Sequence, residues 1–246
     1  MSRRRWIADE VSGEHAALLG SHAGHLIRVL RAKVGQEFDI STGEQVRRGR
    51  ITNISDQRVE FELGEIAPAQ GFPQITIALS IFKFDRMEWA IEKSTELGVA
   101  EIIPLIASRT QKYLAAGAAK RVERWKRVAQ AASEQSRQLR SPEISPPMKI
   151  DDAIAHLGGT RIVLSECEHS LTLKQALEPQ SNVLERAGTP ALHPLNLAFG
   201  PEGGWTEGEI EKFRKAGWIS ASLGSPILRA ETALIAAVAI TMAELQ

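Results

Sequence analysis

The chain has 246 residues, 43% hydrophobic and 24% charged, with 30 Lys and Arg balanced by 30 Asp and Glu. That length suits two modest domains, and the composition excludes a disordered chain. A single cysteine, Cys167, excludes an internal disulfide framework and a four-cysteine zinc site, and points to a reducing, cytoplasmic setting.

The opening residues MSRRRWIADE carry charge but no apolar run, so no secretory signal is expected. Residues 1 to 66 read mostly as β structure: Glu37 to Ile40, Gln45 to Ile54 and Arg58 to Ile66 carry Val, Ile and Phe between Gly, Asn and Asp turns. One helical stretch, roughly Gly20 to Arg31, places Leu26, Val29 and Leu30 on one face, with Arg28 and Arg31 off it. Short strands with one helix suggest a small barrel over residues 1–70. The basic cluster Arg3 to Arg5 with Trp6 reads either as a phosphate-contacting arm or as a tail. Ala67 to Pro73, APAQGFP, is the linker candidate.

A second domain over residues 74–246 follows, in which strands and helices alternate. Ile75 to Phe82 is an apolar run of strand length. Asp85 to Leu97 reads as a helix: Asp85 and Glu88 have capping-box spacing, Met87, Ala90 and Ile91 share a face, and Gly98 stops it. Glu101 to Ala107 is a buried strand, and Ala118 to Gln138 a long amphipathic helix with Pro142 beyond it. Arg161 to Ser165, Leu195 to Gly200 and Trp218 to Leu223 are short strands, and Glu178 to His193 is polar and loop-like. Thr206 to Ala216 is a helix with Thr206 and Glu209 as capping box and Gly217 as its stop. This alternation argues for a mainly parallel sheet with helices on both faces.

Between Ser108 and Arg140 lie Arg109, Lys112, Lys120, Arg121, Arg124, Lys126, Arg127, Arg137 and Arg140, opposed only by Glu123 and Glu134. This local excess fits either a polyanion-binding face or a solvated helix face.

Two segments carry the chemistry. Phe199-Gly200-Pro201-Glu202-Gly203-Gly204-Trp205 lies between an apolar strand and a capped helix, where open α/β sheets bind ligands. Its glycines allow close approach to the backbone, or merely a tight turn. It matches no phosphate-binding pattern, and the carboxylate of Glu202 would repel phosphate but suit a cation such as a sulfonium. In Leu223-Gly224-Ser225-Pro226-Ile227-Leu228-Arg229-Ala230-Glu231-Thr232-Ala233, Gly224 and Pro226 force an irregular backbone whose exposed N–H and C=O groups an adenine edge could meet. Arg229 and Glu231 stand at the start of an otherwise apolar helix, either as site charges or as helix-end and surface ion-pair charges. That helix, Thr232 to Ala243, is apolar nearly all round, which implies burial on every side, between subunits of a homodimer or within one core. It is too short to span a bilayer, which takes about 20 residues, so no membrane partner is expected. His22 with His25, and Cys167 with His169, lack the partners for a metal site, so no metal is expected.

GPEGGW followed by LGSPILRAETA resembles the RsmE family of the SPOUT methyltransferase superfamily. The resemblance extends through His25-Leu26-Ile27-Arg28-Val29-Leu30-Arg31 with Val34-Gly35, through Glu92-Lys93-Ser94-Thr95-Glu96-Leu97-Gly98-Val99 with Ile103-Pro104, and through Glu134-Gln135-Ser136 with Arg140 and Pro142-Glu143. It implies an S-adenosyl-L-methionine-dependent enzyme that methylates N3 of one uridine in 16S ribosomal RNA of the small subunit. The implied architecture is a PUA-like N-terminal barrel, a catalytic domain with a C-terminal trefoil knot, and a homodimer. The cofactor would meet Leu164, Phe199, Gly200, Pro201, Glu202, Gly203, Leu223, Gly224, Ile227, Leu228, Thr232 and Ala233. The RNA would meet Arg3, Arg4, Arg28, Arg31, Arg137 and Arg140. The chain departs from the family pattern at Arg137-Gln138-Leu139, where Gly-Arg-Asn is frequent, and at Gly35-Gln36, where Gly-Asp is usual.

Uridine N3 is protonated at neutral pH and must lose that proton to act as a nucleophile. Arg229, then Arg140, are the candidates to stabilise the resulting anion. Glu231 or Glu202 are the candidates to take the proton, with a structural role as the other reading. Competing functions are a SPOUT enzyme acting on transfer RNA or a ribose hydroxyl, a non-catalytic RNA-binding protein, and a nucleotide-binding enzyme of another class.

Overall fold

The computed structural model describes residues 5–67, 74–136, 138–178 and 194–245. Expectations for Arg3, Arg4 and Arg137, for linker residues 68–73 and for residues 179–193 lie outside the described residues. The chain divides into two compact units, Met1–Gly71 with Gln130–Ser141, and Phe72–Ala129 with Pro142–Gln246.

The first unit contains β1 (Arg5–Ile7), β2 (Glu10–Ser12), β3 (His15–Leu19), α1 (Gly20–Gly24), β4 (Glu37–Ser41), β5 (Val46–Ser55) and β6 (Arg58–Ala67). They form a six-stranded sheet in the order β1-β4-β5-β6-β3-β2, antiparallel except where β1 runs parallel to β4. Alternate residues turn inward, and Trp6, Leu18, Leu26, Ile40, Ile51, Val59 and Phe61 make its core. Gly49 is required here, since a Cβ would stand 2.5 Å from the Ile40 side chain.

Two expectations are corrected in this unit. Arg5 and Trp6 belong to β1 rather than to an arm or tail, and Trp6 is buried in the core. The helix after Gly20 is not uniform: α1 passes into a π-helical turn, His25–Val29, closed by Leu30 N–H donating to the His25 carbonyl at 3.2 Å. The wider turn rotates the residues beyond it, so Leu26 is buried while Val29 and Leu30 face solvent. Arg31 adopts a left-handed φ of 49°, and the Ala32 N–H donates to the Leu26 carbonyl, as in a helix-terminating motif.

The second unit contains β7 (Ile75–Ser80), α2 (Phe84–Glu96), β8 (Glu101–Ile106), α3 (Lys112–Ala118), the start of α4 (Val122–Ser136), β9 (Glu143–Ile144), β10 (Met148–Lys149), α5 (Ile150–His156) and β11 (Thr160–Leu164). It continues through α6 (173–178), β12 (Leu195–Phe199), α7 (Glu207–Lys215), β13 (Ile219–Ala221) and α8 (Ala230–Glu244). The sheet is parallel throughout, in the order β10-β8-β7-β12-β11-β13, with β9 also on β8. One core lies between the sheet and α2 and α8; a second holds Ile150, Ala153, Phe213 and Trp218 from the α5 and α7 region. None of the described helices is long and apolar enough to cross a membrane.

Met87, Ala90 and Ile91 are buried and Gly98 closes α2 at φ 87°, as the spacing predicts. The capping box at its start is not formed: the helix begins at Phe84 behind Lys83, with no side-chain cap, and Glu88 takes two hydrogen bonds from Arg124 instead. The predicted helix over 118–138 is not continuous: its first residue ends α3, a 3₁₀ turn follows at Ala119–Arg121, and α4 covers Val122–Ser136. Helix α8 is not buried on every side within this chain. Leu234, Ala237, Val238, Thr241 and Met242 enter the core, whereas Thr232, Ala239 and Ala243 are exposed.

Candidate active site

Three parallel strands end together: β11 at Leu164, β12 at Phe199 and β13 at Ala221. Beyond their carboxyl ends, where α/β sheets place ligands, lies a cavity of about 780 Å³, within the size range of small-molecule sites. Leu164, Phe199, Gly200, Pro201 and Glu202 line it. So do Leu223, Gly224, Ile227 and Leu228, and, around the start of α8, Arg229, Glu231 and Ala233. Gly203 and Thr232, also expected there, do not: Gly203 lies against Arg109, and Thr232 faces solvent.

Local chemistry fixes the loop after β12. Gly204 takes φ 69° and its N–H donates to the Pro201 carbonyl at 2.8 Å, which turns the chain back. Trp205 then folds over the loop. Its Nε1–H donates to the Leu164 carbonyl at 2.9 Å, and a Cβ on Gly200 would stand 3.3 Å from the indole. Arg109, just beyond β8, donates to the carbonyls of Gly203 and Trp205. Thr206 starts α7 through the predicted capping box with Glu209, which also accepts from Ser108 N–H at 2.7 Å. Burial pushes the Glu209 carboxyl up, but the hydrogen bonds from Ser108 and Thr206 outweigh it and hold the group below its ordinary value.

The cavity is acidic. Among the described residues, Glu166, Glu168, Glu202, Glu207, Glu211 and Glu231 line it against the guanidiniums of Arg86, Arg214 and Arg229. Arg214 is paired with Glu211 at 2.8 Å. Arg86, on α2, stands 3.6 Å from Glu202 and 3.4 Å from Glu231, joining one carboxylate from each loop segment. Glu231 is 8% exposed, and its Oε2 is buried without a hydrogen-bond partner among the described residues. Arg229 is exposed at the mouth, the N-cap residue of α8, with no ion-pair partner among the described residues. This charge surplus opposes phosphate and favours a cation.

Three site residues escaped the sequence reading as such. Trp205 was visible only as the end of a glycine-rich segment, and Arg109 only as one of many cations. Arg86 gave no signal, because ion pairing across α2 and two distant loops follows no sequence spacing. The basic run between Ser108 and Arg140 is in part committed internally. Arg109 holds a loop, Arg124 binds Glu88, Arg121 lies 4.9 Å above the Phe84 ring, and Lys126 meets Glu123 at 2.9 Å. Lys112 and Lys120 are exposed.

The other candidates fall in the first unit. Arg28 lies back along its own helix, donating to the Gly24 carbonyl at 3.4 Å, and Arg31 and Arg140 are exposed. Gln138 is buried, and the Leu139 carbonyl accepts from Ser41. His22 binds Asp9 at 2.9 Å and faces Glu134 at 3.6 Å. The Asp9 hydrogen bond, against a smaller opposing effect of burial, raises the imidazole above its ordinary value. Among the described residues no group of three or more His, Cys, Asp or Glu could hold a metal ion.

A parallel α/β unit with an acidic cavity between two glycine-bearing loops coincides with a family model: the RNA methyltransferase domain matches residues 70–242. The "Ribosomal RNA small subunit methyltransferase E" of Rickettsia conorii is 30% identical over 90% of this chain and 87% of its own length. A crystal structure of the enzyme of that name from Neisseria gonorrhoeae, bound to S-adenosyl methionine, is similar at 28% identity and a TM-score of 0.79, covering 97% of this chain and 96% of that one. A putative methyltransferase from Legionella pneumophila, with S-adenosyl methionine bound, gives 26% and 0.79 over 99% and 98%. The chain belongs to the RsmE family of RNA methyltransferases.

Proposed function

We propose that the protein transfers the methyl group of S-adenosyl-L-methionine to N3 of one uridine in 16S ribosomal RNA of the small subunit. The observation that carries this is the acidic cavity built by the segments 199–205 and 223–233 at the strand ends, in a chain whose relatives are named as small-subunit ribosomal RNA methyltransferases and crystallise with S-adenosyl methionine. The donor supplies a methyl group activated on a cationic sulfonium.

The residues fit that group. The cavity has the volume for a small molecule, a surplus of carboxylates for a cation, and in Glu231 Oε2 a buried acceptor that no group among the described residues satisfies. Backbone groups at Gly200, Leu223, Gly224, Ile227 and Leu228, with Leu164, are assigned to hold the donor. Arg229, exposed at the mouth, stabilises the uracilate anion, and Glu231 accepts the N3 proton through Oε2. Arg140 supports RNA binding together with Arg3, Arg4, Arg28, Arg31 and Arg137. In this reading the first unit is a PUA-like barrel, the carboxyl-terminal segments form a trefoil knot, and the exposed small-residue face of α8 pairs two copies as a homodimer.

The test is incubation with labelled donor and undermethylated small subunits or their free RNA, followed by nucleoside analysis. An N3-methyluridine peak that Arg229→Ala abolishes supports the function and the role of Arg229. A peak that survives the substitution removes Arg229 from catalysis, and failure to bind donor refutes the methyltransferase reading.

A further inference from the structure

The mechanism leaves Arg86 without a part, although it is the only guanidinium that reaches both loop carboxylates among the described residues. It comes from α2, outside both loops, and its side chain is about one-third exposed. Glu202 belongs to the loop after β12 and Glu231 to the first turn of α8, so a single cation spans segments that approach each other only in the folded unit. Two carboxylates facing one guanidinium leave one negative charge over, directed at a cavity already rich in carboxylates. A sulfonium donor carries one positive charge at its reacting centre, and the thioether left after methyl transfer carries none there.

We propose that Arg86 is the positioning residue that sets how strongly the cavity prefers the charged methyl donor over its neutral-sulfur product. It ties Glu202 to Glu231, holds the Glu231 carboxylate through Oε1 at the cavity wall, and cancels one of the two charges. The remaining charge favours donor binding without trapping the cation so tightly that its neutralisation on transfer becomes costly. The inference rests on the methyl-donor reading of the cavity.

Calorimetric titration of the full chain with S-adenosylmethionine and, separately, S-adenosylhomocysteine tests it without turnover. The quantity read is the ratio of the two Kd values, product over donor. A unit charge removed about 7 Å from a ligand charge, at an effective dielectric of about 50, between a near-surface pair and bulk water, changes donor affinity about five-fold. Arg86→Gln is expected to raise the ratio about five-fold, Glu202→Gln to lower it by a similar factor, and Arg86→Lys to keep it near wild type. Loosened loops weaken both ligands together and leave the ratio alone. An unchanged ratio in Arg86→Gln therefore overturns the proposal and makes Arg86 a structural tie only. If Arg86→Gln does not fold, Glu202→Gln still decides: a ratio that fails to fall overturns it. Absence of binding of either ligand to the wild-type protein removes the donor reading itself, a different result from equal weakening in the variants.

Discussion

Glu209 offers a sharp test of how the loop after β12 is held. The residue is 4% exposed and takes three hydrogen bonds: from Thr206 N at 2.8 Å, from Thr206 Oγ1 at 2.9 Å, and from Ser108 N at 2.7 Å. The first two start α7 directly after Trp205; the third fastens that start to the segment following β8. A hydrogen bond to a charged group contributes about 1.5–3 kcal/mol. Two of the three converge on one oxygen and are not additive, so Glu209→Ala is expected to cost about 3–4 kcal/mol at pH 7. For a chain of this size that lowers Tm by about 10 °C. Glu209→Gln, which keeps one acceptor oxygen, is expected to lose about half as much. The folded carboxyl titrates below its ordinary value of 4.5, so its stabilisation is present above that value and is lost as the pH falls through the folded pKa. The gap between wild type and Glu209→Ala in urea unfolding should therefore narrow on acidification below pH 4.5. A gap under about 1 kcal/mol at pH 7, or one that stays constant on acidification, refutes the account.

Three further outcomes follow from the same structure. Gly204→Ala puts a Cβ at φ 69° and 2.6 Å from Glu166 Oε1; it is expected to cost about 1–3 kcal/mol and to weaken donor binding, and a wild-type melting curve contradicts this. Trp205→Phe keeps the ring contact with Phe213 but loses the bond to the Leu164 carbonyl, a cost of about 1 kcal/mol measurable by urea unfolding. His22→Gln removes an imidazole whose folded pKa is raised by Asp9. Its contribution is fully present below the unfolded value of 6.5 and is lost as the pH rises through the folded value. The variant should thus be destabilised by about 1 kcal/mol at pH 6 and by less at pH 9, and equal losses at both pH values refute the ion-pair reading.

The elements legible in the sequence are those whose signal is local. The Thr206–Glu209 capping box formed because both halves of the motif lie within one turn, next to a glycine stop that takes φ 78°. The Asp85–Glu88 spacing is the same, yet Glu88 was drawn to Arg124, 36 residues away, and the helix began one residue before Asp85. Local spacing yields where a tertiary partner offers a two-pronged charged hydrogen bond. The π-helical turn at His25–Val29 was likewise invisible: the apolar spacing fits a regular helix, and only core packing of Leu26 reveals the wider turn. The short strands β1, β2 and β3 carry too few residues for an alternating pattern and exist by pairing, β1 with β4, β3 with β6 and β2 with β3.

The charge distribution explains why the site was half legible. A net charge of zero and a basic run in the middle of the chain direct attention to cations as the functional groups. In the folded second unit, however, much of that run is spent on internal contacts with Glu88, Glu123 and loop carbonyls, while the cavity collects six carboxylates from two separate loops, α7 and the start of α8. No window of sequence shows that concentration, because the carboxylates converge only when β11, β12 and β13 end side by side. The consequence is a division of electrostatic labour within one neutral chain. The carboxylate surplus of the cavity favours a small cation over a phosphodiester, and under the proposed function the attraction for a polyanionic substrate is assigned to exposed cations elsewhere, such as Arg31 and Arg140 of the first unit. Raising salt should accordingly weaken RNA binding steeply, as counterion release requires, while affinity for the small cationic donor in its partly enclosed, carboxylate-lined cavity changes far less.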